Sequence, residues 1–236
     1  MKKSSCEFCE NSHCLIQKYC SPEWIQKIDE RKYQVFFKQN KDIITENSPI
    51  LGVFFILSGK VKVFSTGLNQ RQQIVRFANP GHILGHRGAE NEVYPIGAKT
   101  MDDSVVCFVE NKVLDDLFEG NPKFVQELMK FYSRELRKIE NRVKNLGQMN
   151  TREKISEALI VLWENFGLNE QNNLDVSFSR QDIANIAGTT PEQVMTQLTG
   201  FEQEGFISKA GRKINILNLE GLQNILSKYN QHSIFA

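Results

Sequence analysis

Two closely spaced helix-start signals constrain the fold of this chain more than any other feature of its sequence. Ser179-Arg180-Gln181-Asp182 is a capping signature, and Thr190-Pro191-Glu192-Gln193 combines an N-cap, a first-turn proline and a capping-box glutamine. Ala187-Gly188-Thr189 lies between them, so the first helix must end and the second must begin within a few residues. The sequence therefore predicts two helices joined by a tight glycine-containing turn, a helix-turn-helix.

The second of these helices is predicted to have one apolar and one polar face. The apolar face consists of Val194, Leu198 and Phe201. The polar face consists of Glu192, Thr196, Thr199 and Gln203, with Gln193 and Gly200 beside them. Because Glu, Gln and Thr side chains can pair with base edges in the major groove, this pattern predicts a recognition helix that reads DNA.

A small β-hairpin with a basic tip is predicted directly after the recognition helix. Phe206 to Lys209 and Arg212 to Ile216 form its strands around Ala210-Gly211, which makes the unit a winged helix. The predicted DNA-binding residues are Arg180, Thr190, Glu192, Gln193, Thr196, Lys209, Arg212 and Lys213.

The charge of this part of the chain leaves a second interpretation open. The recognition helix has no Lys or Arg, and residues 151–236 carry 7 basic and 10 acidic residues. Affinity for DNA depends on cations that replace phosphate counterions. The basic segment 121–150, with 7 Lys/Arg against 3 Asp/Glu, and the helix N-termini must contribute that attraction. The alternative is a winged helix used only for protein contacts.

A long helix with two apolar stripes precedes this unit. Asn121-Pro122 starts it, and the pattern continues to about Leu146. One stripe alternates spacings of four and three, as in a coiled coil. We call it the apolar seam; it comprises Val125, Met129, Tyr132, Leu136, Ile139, Val143 and Leu146. The shorter stripe is Phe124, Leu128 and Phe131. One stripe can cover a β domain while the seam pairs with a second copy, which predicts a homodimer; the alternative buries both stripes in one monomer.

Cysteines are concentrated at the N-terminus. Cys6, Cys9, Cys14 and Cys20 form a C-x2-C-x4-C-x5-C run, and Cys107 is the fifth cysteine. In a reducing compartment such thiols first indicate soft-metal ligands. Zinc could take four of Cys6, Cys9, His13, Cys14 and Cys20, whereas an iron-sulfur cluster could recruit Cys107. Uncommitted thiols, with Cys107 as a core residue, remain the plain alternative.

Between the cysteines and the long helix, the chain changes to short β-branched and aromatic stretches. Ser21-Pro22 first starts a helix that reaches about Arg31. The strands are predicted over 33–37, 52–57, 60–65, 73–77 and 104–109, a sandwich or jelly-roll pattern. The length of 236 residues predicts two domains. The hydrophobic fraction of 40% predicts that the chain is ordered. No membrane-length apolar run and no secretory signal is visible, so we expect a cytoplasmic protein.

These blocks together resemble the CRP/FNR family of bacterial transcription regulators. Gly52 to Phe64 and Phe77 to Gly85 resemble the family's sensor β-roll, and Ile183 to Val194 resembles its helix-turn-helix. The resemblance implies an α+β fold with an N-terminal cyclic-nucleotide-binding-like β jelly roll, a long dimerisation helix and a C-terminal winged helix-turn-helix. The expected boundaries are 1–20 for the cysteine-rich segment, 21–120 for the β-roll, 121–147 for the dimerisation helix and 148–236 for the DNA-binding domain.

The resemblance also implies partners and a signal. The expected partners are a second copy of the chain, double-stranded DNA with a palindromic operator, and RNA polymerase, with no membrane. Cyclic-nucleotide sensors of the family hold the nucleotide with a Gly-Glu and a later Arg-Ser/Thr-Ala. Here His86 follows Gly85, and the later stretch is Tyr94-Pro95-Ile96-Gly97, so no cyclic nucleotide is expected.

The oxygen-sensing FNR branch fits better, because it has three N-terminal cysteines and one in the β-roll. Ser104 to Leu117, which contains Cys107, resembles the segment that holds the fourth ligand. The resemblance implies a [4Fe-4S] cluster on Cys6, Cys9, Cys14 and Cys107, with Cys20 as an alternative ligand. The sequence departs from the FNR pattern in the x4 gap before Cys14, where the branch has x5.

Two further departures concern the dimer and the DNA site. The seam has no acidic residue near its middle, which implies a dimer that persists without its cluster. Glu192 matches the family's base-reading glutamate, but Thr196 occupies the place of an arginine that reads guanine, which implies an unusual half-site.

A different class of function is a small-molecule or haem sensor in which His82 or His86 contacts the ligand. In that case the cysteines bind zinc or are incidental. Isolated histidines on a β-roll are more often surface residues. No catalytic residues are predicted, because the sequence has neither a Gly-x4-Gly-Lys-Ser/Thr loop nor a His-Glu-x2-His pair, so we expect no enzyme activity.

Overall fold

The chain divides into two units in a computed structural model, which describes residues 5–86, 92–169, 174, 178–211 and 213–229. The first unit contains Met1–Gln70 and Val75–Glu135, and the second contains Arg71–Ile74 and Leu136–Ala236. Within the described ranges, no helix is both long enough and apolar enough to cross a bilayer.

The first unit is built around two four-stranded antiparallel sheets. The strands are β1 (Tyr33–Phe37), β2 (Asp42–Ile44), β3 (Gly52–Ser58), β4 (Val61–Thr66), β5 (Gln72–Ala78), β6 (Ile83–Leu84), β7 (Gly97–Thr100) and β8 (Ser104–Glu110). Their orders are β1-β8-β3-β6 and β2-β7-β4-β5. Ile44, Ile56, Val61 and Val106 are buried between the sheets. The predicted jelly roll is therefore confirmed, with β2, β6 and β7 as additional short strands.

Three helices and the start of a fourth cover the outer face of the first sheet. They are α1 (Leu15–Tyr19), α2 (Pro22–Arg31), α3 (Asn111–Gly120) and α4 (Pro122–Gln148). Ser21 caps α2 by accepting a hydrogen bond from the Trp24 backbone amide, as the Ser-Pro signal predicts. The shared core includes Ile16, Ile28, Val53, Phe55, Val109, Leu117, Phe124 and Leu128. The shorter stripe of the long helix thus packs on the β domain.

Along α4 the apolar seam is unevenly covered. Met129, Leu136 and Val143 are 60%, 58% and 66% exposed in the single chain. Tyr132 instead lies partly buried against the β domain, where its hydroxyl donates to the His86 carbonyl. Three of the seven seam residues are therefore open to solvent in the single chain and the other four are partly buried, whereas Phe124 and Leu128 of the shorter stripe are buried.

The second unit contains the helix-turn-helix. Its elements are α5 (Thr151–Phe166), α6 (Arg180–Ala187), α7 (Pro191–Gln203), the hairpin β9 (Ile207–Ala210) and β10 (Lys213–Ile216), and α8 (Leu219–Ile225). Ser179 and Asp182 form the predicted capping box of α6. Gly188 has a φ of 64°, the left-handed conformation that glycine adopts without strain and that ends α6 tightly. Ile155, Leu159, Ile183, Val194, Leu198 and Phe201 form the buried core.

Candidate cysteine cluster and nucleic-acid interface

The N-terminal cysteine segment is held against the β domain by its backbone and small side chains. The Cys9 amide donates to the Cys6 carbonyl over 3.3 Å, which forms a turn between the two thiols. Asn11 Nδ2 donates to the Ile56 carbonyl of β3 over 3.0 Å. A Cβ added to Gly81 would lie 2.5 Å from the His13 Cβ, so the segment packs directly on a glycine turn. These contacts place residues 6–14 on one end of the first sheet.

Cys107 reaches the same region from the middle of that sheet. It lies on β8, opposite Gln34 of β1 and Phe55 of β3. Gln34 Nε2 donates to its sulfur over 3.7 Å. Cys14, Cys20 and Cys107 all pack against the core that contains Ile16 and Val109. Cys107 and the N-terminal Cys14 and Cys20 thus meet at one core, although they are distant in sequence. The predicted cysteine centre would need this proximity.

The pKa values of the thiols show that several of them lie within electrostatic reach of one another. Burial, and then the charge of Cys6 and Cys9, raises the pKa of Cys14 to about 11. Burial raises the pKa of the Cys6 thiol, and Cys107 adds a smaller increase. Burial also raises the pKa of the Cys107 thiol, and Cys9 adds a smaller increase there. Each of Cys6, Cys9, Cys14 and Cys107 therefore lies near two others of the four.

Cys20 lies near two of these thiols as well. Burial, with smaller contributions from Cys14 and Cys6, raises its pKa to about 12. It is the C-cap residue of α1, whereas Cys14 is the N-cap residue of the same short helix. Cys20 thus neighbours Cys14 and Cys6, and its place as an alternative ligand stays a prediction.

A site for one compact ion is absent from the described part of the chain. There, no three His, Cys, Asp or Glu side chains are grouped closely enough to hold a single metal ion. Tetrahedral zinc with Zn–S bonds of about 2.3 Å needs its sulfurs within roughly 4 Å of one another. The thiols therefore converge without forming the tight tetrahedron that the zinc alternative requires.

A lysine that the sequence pattern did not single out lies among these thiols. Lys32, the C-cap residue of α2, points its Nζ at Cys6 Sγ over 2.9 Å and at Asp29 Oδ1 over 2.8 Å. Its side chain is only 2% exposed. In the sequence a basic residue at a helix C-terminus is ordinary, so only the tertiary fold reveals its burial.

The two β-roll histidines have structural partners. His82 accepts a hydrogen bond from the Asn79 amide at Nδ1 over 3.2 Å, within a turn. His86 is 6% exposed, and its ring meets the edges of Phe131 and Tyr132 at centroid distances of 5.3 Å. The expectation of a surface histidine is therefore wrong for His86, because the long helix covers it.

Little space remains beside these residues for a ligand. The cavity lined by Val63, Arg76, Gly85, His86, Pro95 and Ile96 has a volume of about 10 Å³. Ligand pockets in proteins are usually about 300–1,000 Å³. The cavity between these described residues is therefore far smaller than a usual ligand pocket.

The recognition helix has the two faces that its sequence predicts. Val194, Leu198 and Phe201 are fully buried. Glu192, Gln193, Thr196, Thr199 and Gln203 are exposed. Thr190 caps the helix by accepting from the Gln193 amide, but the Gln193 side chain accepts from the Thr189 hydroxyl instead of completing the capping box. The sequence analysis did not single out Met195, which is 47% exposed on this helix and lies three positions after Glu192.

Basic residues connect the hairpin to the two helices. Lys209 pairs with Glu202 over 2.9 Å and donates to the Thr199 hydroxyl over 3.2 Å, with 17% of its side chain exposed. Arg180 donates to the Gly211 carbonyl over 3.4 Å. Lys213 is exposed, and the predicted contact Arg212 lies outside the described residues. Lys209 and Arg180 therefore orient the wing, and the exposed Lys213 lies next to its tip.

Family models match both units of the chain. A model described as a cyclic nucleotide-binding domain matches residues 34–121, and one described as a Crp-like helix-turn-helix domain matches residues 151–225. Together they cover the β domain and the winged helix described above.

Relatives and solved structures agree with these matches. The Pseudomonas aeruginosa "Transcriptional activator protein anr" is 30% identical over 184 residues, 77% of this chain and 75% of that protein. The Vibrio cholerae "Fumarate and nitrate reduction regulatory protein" is 25% identical over 215 residues, 87% of this chain and 85% of that protein. The fold also resembles FixK2 from Bradyrhizobium japonicum, with a TM-score of 0.70 at 23% identity, covering 82% of this chain and 96% of that one. With a sensor-type β-roll and a DNA-reading helix in one chain, the protein belongs to the FNR branch of the CRP/FNR family, and it is a DNA-binding transcriptional regulator and not an enzyme.

Proposed function

We propose that this regulator is a homodimer that senses oxygen, nitric oxide or redox state through a [4Fe-4S] cluster. Cys6, Cys9, Cys14 and Cys107 would hold the cluster, and Cys20 would be the alternative ligand. The observation that carries the proposal is that Cys14 and Cys107 pack against one core, while Cys6, joined to Cys9 by a turn, is bound by Asp29 and Lys32 beside that core. Such a cluster, when bound, supplies lability toward oxygen and nitric oxide, since thiolate-held iron and sulfide are readily oxidised.

The donor set supports a cluster more than a single ion. All four donors are thiols, which prefer soft metals, and [4Fe-4S] clusters take four of them. A cluster spreads its ligands over a larger volume than one zinc ion does, which suits thiols that are neighbours without a tight tetrahedron. The β-roll cavity of about 10 Å³ gives no comparable support to a small-molecule or haem sensor.

The core shared by α1, α2 and α4 supports a route from this site to the long helix. Ile16 of α1 and Ile28 of α2 are buried in the same cluster as Phe124 and Leu128 of α4. A change in the cysteine segment would therefore repack residues that contact α4. Because packed cores have discrete arrangements, such a change shifts the population of DNA-competent molecules.

The exposed seam supports dimerisation. Three large apolar side chains at heptad spacing, Met129, Leu136 and Val143, remain more than half exposed in one subunit. A second copy of the same helix would bury all three in a coiled-coil contact. The two recognition helices of such a dimer would then read the two halves of a palindromic operator.

We assign the DNA contacts as the sequence predicts them. Glu192, Gln193 and Thr196 would read base edges, and Thr190 would lie at the phosphate-facing N-terminus of the recognition helix. The phosphate contacts would be Arg180, Lys209, Arg212 and Lys213. At a promoter the regulator would contact RNA polymerase. We therefore expect the regulator to act in the cytoplasm. The domain boundaries 1–20, 21–120, 121–147 and 148–236 are part of this proposal.

Metal analysis of protein purified without oxygen tests the cluster. We expect brown protein with about four iron atoms and about four sulfides per chain. Cys107→Ser should lose most of the iron, whereas Cys20→Ser, the matched control at a neighbouring thiol that is only an alternative ligand, should keep it. A colourless anaerobic protein with stoichiometric zinc, or equal iron in both variants, would contradict the assignment.

A further inference from the structure

We infer that Asp29 and Lys32 form a clamp that positions Cys6, with Lys32 as the positioning residue beside its sulfur. The inference rests on the proposed function, in which Cys6 is a cluster ligand. It adds to that function two residues outside the thiol set, Asp29 of α2 and its C-cap Lys32, which fix the backbone and the sulfur of one ligand.

The clamp holds Cys6 at two points. The Cys6 amide donates to Asp29 Oδ1 over 2.8 Å, which fixes the backbone. Lys32 Nζ donates to Cys6 Sγ over 2.9 Å, which fixes the side chain. Asp29 and Lys32 are joined over 2.8 Å, so the three groups form a closed set of contacts.

The burial of Lys32 calls for a physical reason. An ammonium group that is 2% exposed loses most of its hydration, and this cost is offset only by close partners. Asp29, at 27% exposed, is one partner, and the sulfur of Cys6 is the other. Lys32 also ends α2, where its own amide donates to the Ile28 carbonyl over 2.8 Å and the helix dipole favours a cation.

A buried cation suits an anionic centre of thiolates. Four cysteine thiolates around iron and sulfide carry net negative charge, and Lys32 contacts one of these sulfurs and lies near that of Cys107. Hydrogen bonds to ligand sulfur and nearby charge are among the factors that set the potential and persistence of such centres. Lys32 should therefore slow the loss of the cluster by holding Cys6 in place and by offsetting its charge.

Two measurements on Lys32→Met test the clamp. The first is amide hydrogen exchange in the metal-free, reduced protein, where we expect exchange at residues 5–9 to accelerate by roughly tenfold, because Cys6 loses its anchored position. The second is the lifetime of the reconstituted cluster in air, which should shorten by roughly tenfold, the lower end of effects from outer-shell changes. Lys32→Arg, which keeps the charge and a donor, should restore at least part of both.

The chain offers a matched control and a second variant. Lys27 lies on the same helix, pairs with Glu23 over 2.8 Å and is 52% exposed, so Lys27→Met should change neither measurement. Asp29→Ala removes the acceptor of the Cys6 amide and should accelerate the same exchange, which keeps the test decisive if Lys32→Met fails to fold. Unchanged exchange at residues 5–9 in Asp29→Ala or in folded Lys32→Met would overturn the clamp. If the wild-type protein contains no iron but the variants still show accelerated exchange, the proposed function is wrong and the clamp is supported.

Discussion

Truncation of one seam residue should weaken the dimer while leaving the subunit folded. Leu136 is 58% exposed in the single chain, so Leu136→Ala removes few contacts within it. Burying a whole leucine side chain contributes about 1.5–3 kcal/mol, and the exposed fraction of Leu136 scales this to roughly 1–1.7 kcal/mol per copy. In the proposed symmetric dimer, both copies of this side chain would be buried. The expected loss is therefore roughly 2–3 kcal/mol, or about 30- to 150-fold in the dimer dissociation constant.

Sedimentation equilibrium over a dilution series measures the dimer dissociation constant, and urea unfolding measures the unfolding free energy of the subunit. The unfolding free energy of the subunit should change by less than about 0.5 kcal/mol, as for an ordinary surface substitution. Leu51→Ala is the matched control, because Leu51 is 67% exposed and lies outside α4. Equal dissociation constants for the two variants, or a wild-type protein that is monomeric at micromolar concentration, would refute the reasoning.

Three further substitutions test other parts of the structure. Gly120→Ala places a Cβ 2.2 Å from Trp24 Cζ2, so urea unfolding should show a loss of roughly 1–3 kcal/mol; an unchanged midpoint would contradict this packing. Burial alone would raise the pKa of Glu153, but the opposing effect of Lys228 and the neighbouring donors is larger, so the net pKa lies below the ordinary 4.5. Glu153→Gln should therefore reduce the unfolding free energy by roughly 1–3 kcal/mol at pH 7, and this loss should shrink as the pH falls below 4.5. A loss of stability that persists in acid would exclude this linkage. Glu192→Ala should weaken operator binding by about 1–3 kcal/mol and relax base preference at one position of each half-site; selection from random DNA that returns the wild-type site would argue against base reading by Glu192.

Local chemistry explains which parts of the fold follow from the sequence. Ser21 and Ser179 cap the predicted helices, and Gly188 ends α6, because each acts on backbone groups only a few residues away. The recognition helix follows from periodicity, since Val194 and Phe201 are spaced to meet one core. Such signals are complete within a dozen residues and need no knowledge of the rest of the chain.

The features that the sequence does not indicate depend on distant neighbours. The strands β2, β6 and β7 have only two to four residues, too few for a period to appear. His86 is buried because Phe131 and Tyr132 of α4 cover it, and nothing beside it in the sequence reveals this. The contact of Lys32 with Cys6 joins residues 26 positions apart, and no local pattern indicates it.

The candidate sites differ in the same way. The polar face of the recognition helix could be predicted residue by residue, because one helix carries it. The grouping of Cys107 with the N-terminal thiols was implied by a resemblance and depends in the structure on the pairing of β8 with β1 and β3. Met195 was missed because an apolar residue on a polar face gives no polarity signal, although it lies one turn from Glu192.

Operator affinity measured on one preparation before and after cluster removal decides whether the cysteine site controls the DNA-reading site. Fluorescence anisotropy with a promoter fragment, without oxygen and then after air exposure, should show a change of at least about tenfold, within the usual range of coupling between two sites. Cys107→Ser should bind as the air-exposed protein does under both conditions. Identical affinities in all of these samples, with iron demonstrably lost from the wild-type protein, would contradict the account.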